Sequence, residues 1–441
     1  MKNTNNIKVV KFGGTSVADA IQIRKIKEIV TADPDRKFVV VSAPGKRFET
    51  DNKVTDMLYL LYDLIQQNAP YDQLFQVIRQ RFLDIESELG VDAGMRREME
   101  IIEAKLPEKP PVDYIASRGE YLNGKVIAAW LGFDYIEAAE AVKFSQKKKF
   151  LPEETNEALK KAMGNCENAV VPGFYGALPG GEIKTFSRGG SDITGALVAR
   201  AAEAAVYENW TDVSGFLMAD PRIVENPKAI ERISYKELRE LSFMGASVLH
   251  ENAIYPVRLA GIPINIRNTN EPQEAGTLIV ADEEANSGSI ITGIAGKKDF
   301  TVISIYKSLL NEERGFLRRI LSILEDFDVA VEHIPSGIDT VSLVIPAGQL
   351  EGKLEEALED LEKKLQPESM DVSENIALIA TVGRRMASRH GVAASLFTAL
   401  SEAKINIRMI DQGSSEMNII VGVENKDFNA AIQAIYAAFV D

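Results

Sequence analysis

An α/β domain with an open, mostly parallel sheet, followed by two smaller α+β modules, is the fold class this sequence predicts. Two observations carry it. Over residues 1–285, short β-branched runs alternate with longer helical stretches, the pattern of strand–helix–strand units in a parallel sheet. Beyond about residue 285 the texture changes, and the chain repeats itself at a separation of 76 residues, with Gly315 matching Gly391 and Val329 matching Ile405.

The runs of the first region are 7–12, 38–42, 169–174, 205–208 and 262–266. A sheet of this kind takes its ligands at the carboxyl ends of its strands. Residues 57–106 contain no comparable run and predict helices, an excursion serving as lid or interface. Ser287-Gly288-Ser289 predicts a hinge. In the first repeat Phe316, Leu317, Ile320, Leu321, Leu324 and Phe327 form the apolar face of a helix, ahead of strands expected at 329–332 and 341–345. In the second, Val392, Leu396, Phe397 and Leu400 precede strands expected at 405–410 and 418–423. One copy is too small to cover both faces of its sheet, so the copies are expected to pair, within the chain or across a dimer. The expected boundaries are 1–285 for the α/β domain, 286–298 for a hinge and a first strand shared with the second module, then 299–372 and 373–441.

Composition narrows the function. A chain of 441 residues with 45% hydrophobic content exceeds one ordinary core and predicts several domains. The net charge of −15 repels polyanions, so nucleic acid is not an expected partner. A local group of cations and backbone N–H groups can still reverse that field within one cleft. Cys166 is the single cysteine and can form neither an intrachain disulfide nor a thiolate cluster, which points to a reducing compartment. With no signal-peptide core and no uninterrupted apolar run of about 18 residues, a cytoplasmic protein without a membrane partner is expected. His250, His333 and His390 are scattered, so no protein metal site is expected.

Lys11-Phe12-Gly13-Gly14-Thr15-Ser16 ends the first run, just before a helix expected near Asp19. It is neither a Walker A loop nor a dinucleotide fingerprint. Gly13 and Gly14 allow backbone N–H groups close to phosphate oxygens while Lys11 adds a compact charge, although an ordinary turn with a solvated amine fits the same residues. Arg188-Gly189-Gly190-Ser191-Asp192 is a second glycine turn, with Ser191 or Asp192 placed to cap the next helix and Arg188 suited to a carboxylate. Ser117-Arg118-Gly119-Glu120 leads into a helical run at 121–131, with Glu120 read in its first turn as a helix-start residue or a receptor for an ammonium. Thr211-Asp212 and then Asp220-Pro221-Arg222 follow the run at 205–208, as a polar loop or as groups facing a nucleotide and its Mg²⁺.

Taken together, these segments resemble the aspartate kinases of the amino acid kinase fold, joined by Val41-Ser42-Ala43, Thr211-Asp212-Val213 and Val248-Leu249-His250. The paired C-terminal modules look like ACT domains, which are ferredoxin-like α+β units. The resemblance covers nearly the whole chain. It implies transfer of the γ-phosphoryl group of ATP, with Mg²⁺, to the β-carboxylate of L-aspartate, giving 4-phospho-L-aspartate for lysine, threonine and methionine synthesis.

Residue by residue, the resemblance implies that Lys11 stabilises the transferred phosphoryl group and Asp192 organises Lys11 or the substrate. Gly13 and Gly14 lie close to phosphate; Ser42 and Ser191 belong to the substrate side of the cleft. Glu120 receives the α-ammonium of aspartate and Arg188 its α-carboxylate. Thr211, Asp212 and Arg222 belong to the nucleotide side. Glu332, Phe316 and Leu317 are the expected effector contacts, with lysine as the first effector to test and threonine or concerted control left open. A homodimer or a dimer of dimers is implied. Leu217, where many relatives carry an aromatic residue, and Ser247, in place of a frequent lysine, depart from the pattern on the nucleotide side. Two alternatives stay open on sequence: a related carboxylate kinase such as glutamate 5-kinase, and an ACT-containing amino-acid-binding regulatory protein with weak catalysis.

Overall fold

The structure, a computed structural model, describes residues 6–187, 189–246, 251–281 and 289–440. Arg188, Ser247, His250 and the hinge residues Ser287 and Gly288, all singled out from the sequence, lie outside the described residues. The chain divides into two compact units, 1–216 with 231–235 and 248–286, and 217–230 with 236–247 and 287–441.

The first unit is built on eight strands: β1 (Lys8–Phe12), β2 (Arg36–Val41), β3 (Asp134–Tyr135), β4 (Ala169–Pro172), β5 (Val206–Thr211), β6 (Arg232–Ser234), β7 (Ile264–Asn268) and β8 (Thr277–Val280). Their order is β6-β8-β7-β5-β1-β2-β4-β3. Every pairing is parallel except β7 with β8. The runs read as strands in the sequence are strands here, because β1, β2 and β4 are almost wholly buried and their β-branched residues fill both faces of the sheet. Alternation along β1 and β2 sends Val10, Phe12, Val39 and Val41 into one large core. That core is closed by the helices Ala20–Thr31, Val54–Gln66, Asp72–Leu89, Met95–Lys105 and Val112–Leu131. Residues 57–106 are therefore helical, as their pattern predicts. Because β2 and β4 lie on one side of β1 and β5 on the other, the chain reverses its direction of travel across the sheet at β1. The carboxyl ends of these four strands thus form a switch point, where a crevice opens.

The second unit contains a five-stranded sheet, all antiparallel, of β9 (Gly293–Tyr306), β10 (Thr340–Pro346), β11 (Ser369–Val382), β12 (Met409–Asp411) and β13 (Asn418–Glu424) in the order β10-β9-β11-β13-β12. The repeat is visible in three dimensions. Gly315 and Gly391 both take positive φ and open helices of 11 residues, Phe316–Asp326 and Val392–Glu402. The two copies meet along β9 and β11, strands of 14 residues that each contribute to both. The strand expected at 329–332 is absent: Glu332 donates its N–H to Val344, and only isolated bridges at His333 and Ser336 continue along that edge. Pro335 falls between the two bridges and lacks the N–H that a continuous ladder needs.

Candidate active site at the carboxyl ends of the parallel strands

A cleft of about 570 Å³ opens at the switch point. Strand β1 delivers Lys11, Gly13 and Gly14, β2 delivers Ser42 and Ala43, and β5 delivers Thr211 and Asp212. The helix Gly190–Ala201 contributes Ser191 and Asp192, and the helix Val112–Leu131 contributes Glu120.

Lys11 is 7% exposed, and its Nζ sits 2.6 Å from Oδ1 of Asp192. The same oxygen accepts a hydrogen bond from Asn209 Nδ2 at 2.9 Å. The ammonium is thereby fixed beside Gly13, where an added Cβ would stand 3.6 Å from Nζ. This is a preset charge beside a bare stretch of backbone, an arrangement suited to phosphate oxygens.

Glu120 differs from its expected place. The helix runs unbroken from Val112 to Leu131, so the carboxylate stands in the middle of it and not in a first turn. Gly119 concealed this in the sequence by interrupting the helical pattern. Its reason is tertiary, since a Cβ there would lie 2.6 Å from Cβ of Ala43, and only glycine lets the helix press against the loop after β2. Glu120 is 5% exposed, and its Oε2 is buried without a hydrogen-bond partner among the described residues. Burial pushes its carboxyl up to about 8, against opposing pulls from the Ala43 N–H and the charges of Lys11 and Arg118.

The glycine turn at 189–190 also departs from expectation. Gly189, at φ +59°, is the N-cap, and neither Ser191 nor Asp192 caps the helix. Asp192 is turned to Lys11 instead, and Thr194 ties the turn to the loop after β4 by accepting the Phe174 N–H and donating to Gly190 O. Arg222 is exposed in the second unit with its guanidinium on Asp220, and it does not line the cleft. Phe316 is buried in the core of the first repeat, whereas Leu317 is exposed.

Sequence reasoning missed Lys46, Lys53, Thr55 and Tyr59, which line the cleft from the segment after β2. The signal was present in Pro44-Gly45-Lys46, a glycine and a lysine at a strand end. Arg81 anchors that segment by donating Nη2 to Gly45 O at 2.7 Å and Nη1 to Asp51 at 2.8 Å. Arg47 and then Arg81 hold the Asp51 carboxyl well below the usual range. Among the described residues the cleft sets Lys11, Lys46 and Lys53 against Glu120, Asp192 and Asp212, a local balance of charge in a chain of net charge −15.

A model of the amino acid kinase family matches residues 6–268, and one of ACT domains matches residues 379–439. Aspartokinase 3 of Bacillus subtilis is 38% identical, with 98% of both chains covered. The chain belongs to the aspartokinases of the amino acid kinase family. The solved aspartate kinase of Clostridium acetobutylicum, described as an allosteric enzyme, is 52% identical with a TM-score of 0.93, covering 98% of this chain and 100% of that one. Aspartokinase III of Escherichia coli is 25% identical and covers 99% of this chain and 100% of that one in both solved forms. With aspartate and ADP its TM-score is 0.74, and with lysine and aspartate 0.77. An aspartokinase is an ATP-dependent kinase that phosphorylates the β-carboxylate of L-aspartate, and this chain has that activity. Among the described residues, no helix is long and apolar enough to cross a membrane.

Proposed function

We propose that the cleft divides this transfer between a phosphate wall and an aspartate wall. Lys11, fixed by Asp192, faces the transferred phosphoryl group, with Gly13 and Gly14 beside it. Glu120 takes the α-ammonium and Arg188 the α-carboxylate, with Ser42 and Ser191 on the same side. Thr211 and Asp212 serve the nucleotide, and Arg222, outside the cleft, has no part in it. The observation that carries this reading is the pairing in one cleft of a preset cation with a buried carboxylate whose Oε2 has no partner.

An oxygen of the β-carboxylate attacks the γ-phosphorus while the bond from that phosphorus to the β,γ-bridging oxygen breaks, and ADP leaves with the electron pair. No general base is required, because an aspartate side chain with a reference pKa of about 3.9 is already ionised at neutral pH. Catalysis then rests on alignment and on charge placed before the reaction begins. No group of three or more His, Cys, Asp or Glu able to hold a metal occurs among the described residues. The oxygen donors Asp212 and Thr211 still fit Mg²⁺, which is commonly held by substrate phosphates and one or two carboxylates. Bound there, the ion would neutralise charge on the phosphates.

In the second unit we place the effector on the first repeat. Glu332 has a buried Oε2 without a partner, with Lys297 Nζ 3.7 Å from its other oxygen. At the matching position of the second repeat, Arg408 donates its N–H to Gly422 as Glu332 does to Val344. A carboxylate suits an ammonium and a guanidinium repels it, which favours the first copy for lysine, the ligand named with the E. coli enzyme. Exposed Leu309, Leu317, Leu321 and Ile338 support a homodimer through that repeat. The deciding experiment is hydroxylamine trapping of the acyl phosphate with aspartate, glutamate and acetylglutamate in turn. Aspartate-dependent hydroxamate with an ATP requirement is expected, and faster trapping with glutamate would overturn the assigned substrate walls.

A further inference from the structure

On the helix that carries Glu120 lies a separate cavity of about 250 Å³, which shares no lining residue with the cleft. Lys105, Tyr114, Arg118, Glu137, Gly181 and Glu182 are among the residues lining it. Arg118 is 7% exposed, and its guanidinium is packed among three tyrosine rings, 4.2 Å from the centre of Tyr121, 4.5 Å from Tyr114 and 5.7 Å from Tyr175. Among the described residues its Nε and Nη2 donate only to Tyr114 O and Ser117 Oγ. Among the described residues Nη1 has no hydrogen bond and the guanidinium no carboxylate partner.

Of the neighbouring acids, Glu98, Asp113 and Glu137 are committed elsewhere, while the exposed Glu182 at the cavity wall has no side-chain hydrogen bond or ion pair among the described residues. Glu98 accepts from Tyr121 and Lys125, and Asp113 from Lys184 and Thr185. Glu137 accepts from the hydroxyls of Tyr175 and Tyr135 and from the Ala139 N–H. Lys105 stands over the Tyr114 ring at 4.3 Å and forms no ion pair among the described residues. The charges of Glu98 and Glu120 act on Arg118 only from a distance; a buried guanidinium without a direct ion pair is costly, and an aromatic cage leaves its in-plane donors as the route to an anion.

We propose that this cavity is a binding site for a small oxyanion, a phosphate or a carboxylate, held in the plane of Arg118 with Lys105 at the mouth. The volume suits an ion of that size and is too small for a nucleotide.

The test is calorimetric titration of inorganic phosphate, and separately of malonate, into the full chain in chloride buffer. Wild type, Arg118→Gln, Lys105→Gln and Lys11→Ala are compared. Binding by at least one anion is expected, weakened about tenfold or more by Arg118→Gln and roughly threefold by Lys105→Gln, and unchanged by Lys11→Ala. Which anion binds identifies phosphate or carboxylate as the source. Absence of binding by both anions at millimolar concentration overturns the site, as does binding lost in Lys11→Ala and kept in Lys105→Gln, which would place the anion in the catalytic cleft. Should Arg118→Gln fail to fold, Lys105→Gln decides alone: unweakened binding overturns the proposal.

Discussion

Among the described residues, each unit presents one carboxylate with a buried, unpartnered oxygen, Glu120 in the cleft and Glu332 at the open edge of the first repeat, yet the two are built oppositely. Glu120 stands inside a long helix under packed loops, and no cation pairs with it directly among the described residues. Glu332 lies where regular pairing has given way to single bridges, with Lys297 already near it. The difference teaches how burial and an open sheet edge suit a carboxylate to different tasks. In the cleft, burial leaves Glu120 with a demand for positive charge that the ammonium of aspartate would satisfy in the proposed arrangement. At the edge, the proposed effector would exchange for Lys297, a small gain suited to switching.

The largest effect that would break this comparison belongs to Lys11. Lys11→Ala should lower kcat about a thousandfold, the scale of losing a preset donor to a developing charge, and shift Tm by only a few degrees because Asp192 keeps Asn209. Turnover near wild type in a folded variant would remove Lys11 from the phosphate wall.

Next comes Glu120, whose raised pKa gives the prediction a sign. Between about 4.5 and 8 the folded chain holds a proton that the unfolded chain has lost. The contribution to stability is therefore complete below the unfolded pKa and is lost as pH rises through about 8. Free-enzyme Tm should fall across that window in wild type and stay flatter in Glu120→Gln. Aspartate needs the ionised form, so its affinity should rise from pH 6 to 8 with release of a proton, seen as a buffer-dependent binding enthalpy. Glu120→Gln should weaken aspartate roughly 10- to 100-fold and abolish that dependence, and Arg188→Lys should weaken it as well. Unchanged affinity in both variants would reject the aspartate wall.

A smaller effect tests the packing beneath Glu120. Gly119→Ala should cost about 1–3 kcal/mol in chemical denaturation and raise the aspartate KM, since the methyl group would meet Ala43 at 2.6 Å. A neutral result would mean that the helix can move away without disturbing the cleft. Smallest is the edge: Glu332→Ala should weaken lysine inhibition roughly five- to tenfold with basal turnover intact, whereas Arg408→Ala should leave inhibition unchanged. Equal effects of the two substitutions would sharpen the comparison differently, by showing that both repeats take part.

Much of this was legible along the chain. Strand ends marked by Lys11-Phe12-Gly13-Gly14 and by the residues after β2 and β5 could be read locally, because a buried parallel strand needs a continuous apolar run and the turn after it needs glycine or polar residues. The repeat was legible for the same reason: each copy must restate its own helix start and apolar face. What the sequence could not supply was the partner across space. Gly119 looked like a break in a helix until Ala43 was found against it. By spacing alone Asp192 looked like a cap; the family resemblance tied it to Lys11 or the substrate, and the structure sets it on Lys11 at 2.6 Å. Arg118 is an ordinary helix residue by periodicity, and only the rings of Tyr114, Tyr121 and Tyr175 make it a caged cation. Periodicity reports which face of an element is covered, but charge state and affinity depend on what covers it, and that is decided by segments far apart in the chain.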